Sequence, residues 1–595
     1  MCSCPDYQKT QNKTHHWEPS QTTAMIPTLP EDVLILILED FALPNHDLDC
    51  PRGEERKWKG RPRQCLTTLY NACLVSRALH RISWPILYRG FSDRTLFRRG
   101  IVPERLEPAQ LLRTICSRPE YGQALRSLSI TTWAYANPWD DDEPYVSMQS
   151  DTTLLELLQS RAKSCWIGDN DNSQVWTSRS LPDGSLISEL LYSIEMDSLE
   201  AHIAMLLLLC PKLKTLELRT PSHFEDSMVA RLLDATLSRG YQTAKLPQPI
   251  QGSGRQVSDR HISKAYNAPR PTPALQKSAM LQDLVSCTIQ GAGAPPSGLK
   301  FFKNLISLPS LRHVAVDGVQ GGYGAAIQDL MVDVLCPQVE TLHLQGCQLL
   351  TNEASSIIKC CPNLLTLEMT WNEEYESSNN DASGAASRLR FGDIGDSIAR
   401  HTPKLTSLCL SAYDWLYRYF TSKYPYTIGK RLQQLEHLKS LQLDHHMIYG
   451  MQHLDELDIN HTGDHADVPC HGLSQIVPKG ITYLKIEASE FITPYEGSDY
   501  PVDEWQDWQI KDLNDFLQDK SFERLSMVDV ALGVEISEEH VKAETVTKHG
   551  WKATMGRKGR LYCELENRGR SGVIGPQYLE DEWGVLDDIH EAYHV

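Results

Sequence analysis

The sequence predicts an α/β protein in which a small helical module at the N-terminus precedes an irregular array of short parallel strands alternating with helices. Three observations lead there. Apolar residues recur at helical spacing in two stretches between residues 25 and 91. A phrase of the form L-x-x-L-x-L then returns many times along residues 92–535. The length, 595 residues, suits one long repeat array with a small module attached.

The module reads as follows. Thr28-Leu29-Pro30-Glu31 is a helix start, with Thr28 as cap, Pro30 in the first turn where its missing N–H needs no partner, and Glu31 reaching back. Val33, Leu34, Ile37, Leu38 and Phe41 fall on one face that is too apolar for a lone surface helix. Residues 44–64, rich in Pro, Gly, Arg, Lys and Glu, read as an exposed loop. Helical periodicity resumes with Leu66, Leu69, Tyr70, Cys73 and Leu74, continues through Leu79 and Ile82, and is predicted to stop at Pro85.

The run from Leu29 to Leu34, followed by Ile37 and Phe41, resembles the opening of an F-box. Leu69 to Arg77 resembles its second half, and Trp84-Pro85-Ile86-Leu87-Tyr88-Arg89 is similar to the ending of fungal F-box proteins. The resemblance covers about an eighth of the chain and departs from the compact form in the long internal loop. It implies an F-box over 25–91 that docks a Skp-type adaptor and, beyond it, a cullin scaffold. The docking residues it implies are Leu29, Pro30, Val33, Leu34, Ile37 and Leu38, supported by Leu74 and Val75. Residues 1–24 are expected to be disordered.

In the body the phrase appears at Leu213, Leu216, Leu218, at Leu311, Val314, Val316 and at Val339, Leu342, Leu344. It continues at Leu364, Leu367, Met369, at Leu405, Leu408, Leu410, at Leu438, Leu441, Leu443 and at Ile481, Leu484, Ile486, with weaker copies from Leu125, Leu284 and Leu525. Val339 to Leu349 is the fullest unit, with Cys347 where a leucine-rich repeat places Asn or Cys to turn the chain; Asn372 holds the same offset after Met369. Asn352 to Cys361 reads as the following helix. This body resembles the cysteine-containing leucine-rich repeats that often follow an F-box, which implies a solenoid of stacked strand–helix coils. Its irregular spacing predicts insertions, flexible near 242–276 and 373–387. Residues 536–595 are expected to form a cap or tail, with a hairpin across Trp551 to Glu564.

Side chains alternating outward from the strands are the expected target surface: Glu217, Arg219, Thr341, His343, Gln345, Thr366, Glu368, Gln442 and Asp444, with Ser407 and Cys409. These are mixed polar residues and fit a polar protein partner. A net charge of −19 disfavours nucleic acid and anionic membrane surfaces. The longest apolar run, Ile203 to Cys210, falls far short of the ~20 residues of a membrane span. The polar start of the chain shows no targeting pattern, so the expected compartment is cytoplasm or nucleus, where the 16 cysteines stay reduced and serve mainly as small buried hydrophobes.

Motifs for catalysis are not seen: no G-x-S-x-G, no Walker loop, no dinucleotide fingerprint and no H-E-x-x-H. No enzyme activity, cofactor or metal is expected. The histidines at 437, 445, 446, 453, 461, 465 and 471 lack a cysteine pair at zinc spacing and read as a solvated loop. Asp140 to Glu143 lacks the ligand spacing of a calcium loop. The function expected is the substrate-recognition subunit of a Skp–cullin–F-box ubiquitin ligase; the alternative is a repeat scaffold that serves no ligase.

Overall fold

The computed structural model describes residues 30–39, 41, 61–93, 106–131, 198–220, 281–291, 297–320, 335–371, 389–412, 427–449, 472–487, 511–530, 551–555 and 561–565, with short helical pieces between 156 and 232. Leu29, Asn372, Asp140 to Glu143 and both expected flexible insertions lie outside these residues. The chain divides into two compact units, Met1–Pro44 with Trp58–Leu87, and Asn45–Lys57 with Tyr88–Val595.

The first unit contains α1 (Glu31–Glu39), α2 (Arg61–Val75) and α3 (Arg77–Leu87). The carbonyl of Pro30 accepts the N–H groups of Val33 and Leu34, at 3.0 and 3.1 Å, which launches α1. The Glu31 carboxylate accepts from Arg81 of α3 at 2.6 Å. That pair is exposed, so it orients the helices more than it stabilises them. Two expectations are corrected. The loop expected to run to Gln64 gives way to helix at Arg61, because Pro62 is tolerated in a first turn. Pro85 does not stop α3, which runs on to Leu87. In a last turn a missing N–H loses one bond and leaves no following helix to kink. The break falls at Ser76, whose Oγ accepts the N–H of Leu79 at 3.1 Å as an N-cap. Leu38, Leu69, Ile82 and Ile86 form the core of this unit, flanked by Leu34, Ile35, Phe41, Ala72, Leu79 and Leu87. Each fully buried side chain contributes about 1.5–3 kcal/mol.

The second unit is built on a sheet of thirteen strands. In chain order they are β1 (Gly90–Ser92), β2 (Ser127–Ile130), β3 (Thr215–Thr220) and β4 (Ser286–Gly291), with a two-strand side pair, β5 (Ser297–Gly298) and β7 (Val319–Gln320), around β6 (His313–Asp317). Then follow β8 (Thr341–Cys347), β9 (Thr366–Trp371), β10 (Ser407–Ala412), β11 (Ser440–Asp444), β12 (Tyr483–Glu487) and β13 (Met527–Val530). These eleven main-sheet strands are all parallel and lie side by side in sequence order. The hairpin β14 (Trp551–Met555) and β15 (Leu561–Leu565) closes the far edge, β15 running antiparallel to β13.

Every copy of the L-x-x-L-x-L phrase has become one of these strands. Its second and third apolar positions stack in two continuous buried rows. One runs Leu216, Cys287, Val314, Leu342, Leu367, Leu408, Leu441, Leu484; the other runs two residues further along each strand. Parallel neighbours need a crossover between them. The crossovers carry α4 (Leu106–Ser117), α5 (Pro119–Ala124), α6 (Leu199–Leu209), α7 (Leu299–Ile306), α8 (Thr351–Cys360), α9 (Phe391–His401), α10 (His445–Tyr449) and α11 (Leu473–Ile476). α8 packs on α9, α9 on the 3-10 turn Lys430–Gln434, and that turn on α11. The approach is close: a Cβ on Gly395 of α9 would overlap the carbonyl of Ile428.

Polar clamps close the strand ends. Both Asp93 carboxylate oxygens accept the N–H of Thr131 at 2.8 Å, and Thr131 Oγ1 donates to Asp93 Oδ1 at 2.7 Å, all of it buried. Cys347 sits where the repeat phrase placed it, buried, with Sγ donating to the carbonyl of Leu344 at 3.3 Å inside the bend. Trp371 donates through Nε1 to the carbonyl of Leu349 at 3.1 Å and meets Phe391 edge to face, joining β9 to α9. No helix among the described residues is long and apolar enough to cross a membrane.

Candidate functional site

Two surfaces carry the residues that the sequence singled out. On α1 the apolar residues divide between opposite sides. Leu34, Ile35 and Leu38, with Phe41 just past the helix end, pack into the core of the unit; Val33, Leu36 and Ile37 stay exposed. A helix with Val33 to Leu38 apolar throughout has an apolar stripe left over after its own core is filled, and α1 leaves that stripe in water. α2 does the same with Tyr70, Leu74 and Val75, the last two 68 % and 71 % exposed.

The expected docking set is thus corrected in part. Pro30, Val33, Ile37, Leu74 and Val75 are exposed. Leu38, only 7 % exposed, belongs to the core, and Leu34 packs against it half-buried. The single face drawn through Val33, Leu34, Ile37, Leu38 and Phe41 mixed the two sides, because adjacent residues on a helix point 100° apart and a wide apolar arc has no visible edge. Leu36, 65 % exposed, and Tyr70 were missed. The signal for Leu36 was the unbroken apolar run itself.

The second surface is the outward side of the parallel sheet. Strand register aligns its side chains in rows: Thr215, Ser286, His313, Thr341, Thr366, Ser407 and Ser440 in one, and Glu217, Thr288, Ala315, His343, Glu368, Cys409, Gln442 and Lys485 in the next. Arg219, Gln290, Asp317 and Gln345 follow in a third. Of the expected target residues, Gln345 is exposed, and Arg219, Thr341, His343, Thr366, Glu368 and Gln442 are half-buried. Glu217 and Asp444 are buried, a correction: Glu217 accepts from Ser129 Oγ at 2.7 Å, and Asp444 accepts the N–H of Ala412. Both carboxylates hold neighbouring strands.

His343 Nδ1 lies 3.5 Å from Glu368 Oε2, and Gln345 Nε2 donates to Glu368 Oε1 at 3.3 Å. Asp317, unremarked in the sequence, stands beside them. Burial pushes its carboxyl up to about 6, and Glu368 adds to the rise while Arg219 and the backbone at Gly291 oppose it. Because the folded state holds this proton more tightly than the unfolded chain, the stability tied to Asp317 is full below about pH 4 and is lost as pH rises through about 6. Asp317→Asn is therefore expected to stabilise the protein by roughly 2 kcal/mol at pH 7.5 and by almost nothing near pH 4, read as urea midpoints at both values. A stabilisation equal at both would refute the assignment.

The histidine expectation also changes. His445 and His446 form the start of α10 and are buried, the rings meeting edge to face at 5.2 Å, so they are not part of a solvated loop. His437 is exposed, and the remaining histidines of that stretch lie outside the described residues. Among the described residues no group of His, Cys, Asp and Glu is arranged to hold a metal. No protein-family model matches the chain, and no curated protein matches it.

Proposed function

We propose that the chain is a substrate receptor of a cullin-based ubiquitin ligase, with the three-helix unit acting as an F-box that docks a Skp-type adaptor and the body, read as an irregular leucine-rich-repeat solenoid, holding a target protein. One observation carries the reading. Of nine exposed large hydrophobic residues among those described, six lie on α1 and α2: Val33, Leu36, Ile37, Tyr70, Leu74 and Val75. A unit this small does not leave such residues in water without a partner to cover them. The resemblance of Leu29 to Arg89 to an F-box supplies the partner's identity. In the body, strands that follow one another in order, a helix or turn in most crossovers and a buried Cys347 at the bend support the repeat reading. A receptor of this kind breaks no bonds; it raises the effective concentration of a target lysine near an activated ubiquitin.

The test is co-expression of the full chain with a Skp-type adaptor, beside Leu36→Asp/Ile37→Asp. Both residues are exposed, so the variant should keep its circular dichroism and thermal midpoint while adaptor affinity falls about a hundredfold or more. Failure of the folded wild-type chain to co-elute would remove the ligase reading and leave an interaction scaffold. A Leu38→Ala control should lower the midpoint of the unit, because that side chain is core.

A further inference from the structure

We infer that the acidic run 580–591 of this chain lies as a strap along the strand-entry rim of β10 to β13, its carboxylates against Lys404, Lys439, Lys479 and Arg524. An acidic partner then reaches those cations only by displacing the strap. The inference goes beyond the ligase reading and does not depend on it.

The repeat builds the rim. Parallel strands are all entered from the same side of the sheet, so the turns before them line up along one edge. Lys404 stands before β10, Lys439 before β11, Lys479 before β12 and Arg524 before β13, all four exposed. Lys404 donates to the amide oxygen of Asn363 at 3.0 Å, and Lys479 stands near Asp519. Among the described residues none of the four forms an ion pair. Glu436, Asp519 and Glu523 share the rim, and Lys520 adds to its cations. In a chain of net charge −19, an edge where cations outnumber anions is complementary to the rest of the molecule.

The topology delivers the acidic run to this edge. β15 is antiparallel to β13, with Glu564 opposite Met527, so the chain leaves Leu565 level with Ser526, two residues from Arg524. A parallel last strand would have released it at the opposite edge. Residues 566–595 lie outside the described residues, and their sequence supplies the rest. Fourteen positions, 566–579, separate β15 from the first carboxylate. A coil of that length averages about 20 Å end to end. β10 lies four strand spacings from β15, about 19 Å. The run carries Glu580, Asp581, Glu582, Asp587, Asp588 and Glu591, and neither Lys nor Arg. Its groups at 580–582 and 587–588 stand up to about 20 Å apart, enough to cover the three spacings, about 14 Å, between β13 and β10. One exposed pair is worth little, but the tether holds the run at roughly millimolar local concentration, so several weak pairs suffice.

The experiment is zero-length carbodiimide cross-linking of the full chain, which joins only amines and carboxylates in contact. Peptide mass spectrometry reads it on an equal mixture of unlabelled and nitrogen-15-labelled protein. At about 0.05 M salt, Lys404, Lys439 and Lys479 are expected to link to carboxylates of 580–591 within one copy, with the yield falling about fivefold or more at about 0.5 M salt. Lys439→Gln/Lys479→Gln should lower the Lys404 link about fivefold, since the strap loses its neighbouring pairs. Both residues are exposed, and an unchanged thermal midpoint shows that the fold is intact. Lys212 and Lys214, before β3 toward the other end of the sheet, should stay unlinked to the run. No link to the rim lysines, equal yields at Lys212 and Lys214, a Lys404 link unchanged in the double variant, or a majority of mixed-isotope links would each overturn the inference. Adaptor co-elution, measured separately, reports on the ligase reading and is unaffected by any of these outcomes.

Discussion

Trp371→Ala is expected to destabilise the second unit by about 4 kcal/mol. The indole is fully buried at the end of β9, where it meets Phe391 edge to face and donates to the carbonyl of Leu349 at 3.1 Å. Truncation removes a large apolar surface, leaves a cavity between β9 and α9, and strands a buried carbonyl. Trp371→Phe separates these contributions. It keeps most of the volume and loses the hydrogen bond, so about 1–2 kcal/mol should be lost. Chemical denaturation of the full chain measures both, with the midpoint of the second unit as the readout. A loss below about 1 kcal/mol for the alanine variant would mean that the strand and helix are not joined as described.

The second large effect is alkaline. Burial pushes the Cys210, Cys287 and Cys336 thiols up to about 12 and Cys360 to about 11, from an ordinary 9.0. The folded chain therefore keeps protons that the unfolded chain releases above pH 9. Stability tied to these groups is full below pH 9 and is lost as pH rises from there toward 12. One unit above 9, each such thiol costs on the order of 1 kcal/mol, so the four together weaken the fold by several-fold that amount. In reducing buffer the thermal midpoint should drop steeply between about pH 9 and 10. A Cys210→Ala/Cys287→Ala variant should start lower, because of the lost packing, and fall less. Parallel pH profiles for the two proteins would show that these thiols do not carry the effect. The same burial makes the native thiols slow to alkylate and fits their use as core residues rather than as nucleophiles.

Much of the body was legible in the sequence because its code is local. A strand whose alternate residues must all be buried on one side writes Leu-x-Leu into the chain, and a tight bend after it asks for a residue such as Cys347. Even the weak copies at Leu125, Leu284 and Leu525 became strands. The hairpin across Trp551 and Leu565 was readable for a similar reason, two strand runs with glycines between them. The helix ends were less legible. Ser76 was passed over as a cap and Pro85 overrated as a stop, because the cost of either depends on how many hydrogen bonds lie beyond it.

The candidate sites were legible only in part. The sequence alone determined that α1 is too apolar to stand free and that polar residues alternate outward along the strands. Only the tertiary structure decided that Leu38 fills the core while Leu36 stays in water, since that depends on where α2 and α3 lie around α1. It alone decided that Glu217 and Asp444 clamp strands, that His445 and His446 are buried, and that Asp317 stands near Glu368 from a strand 51 positions earlier. Periodicity tells which side of an element faces inward, because backbone geometry sets it residue by residue. Which side chains meet across elements is set by register and packing between distant segments, and no local pattern encodes that.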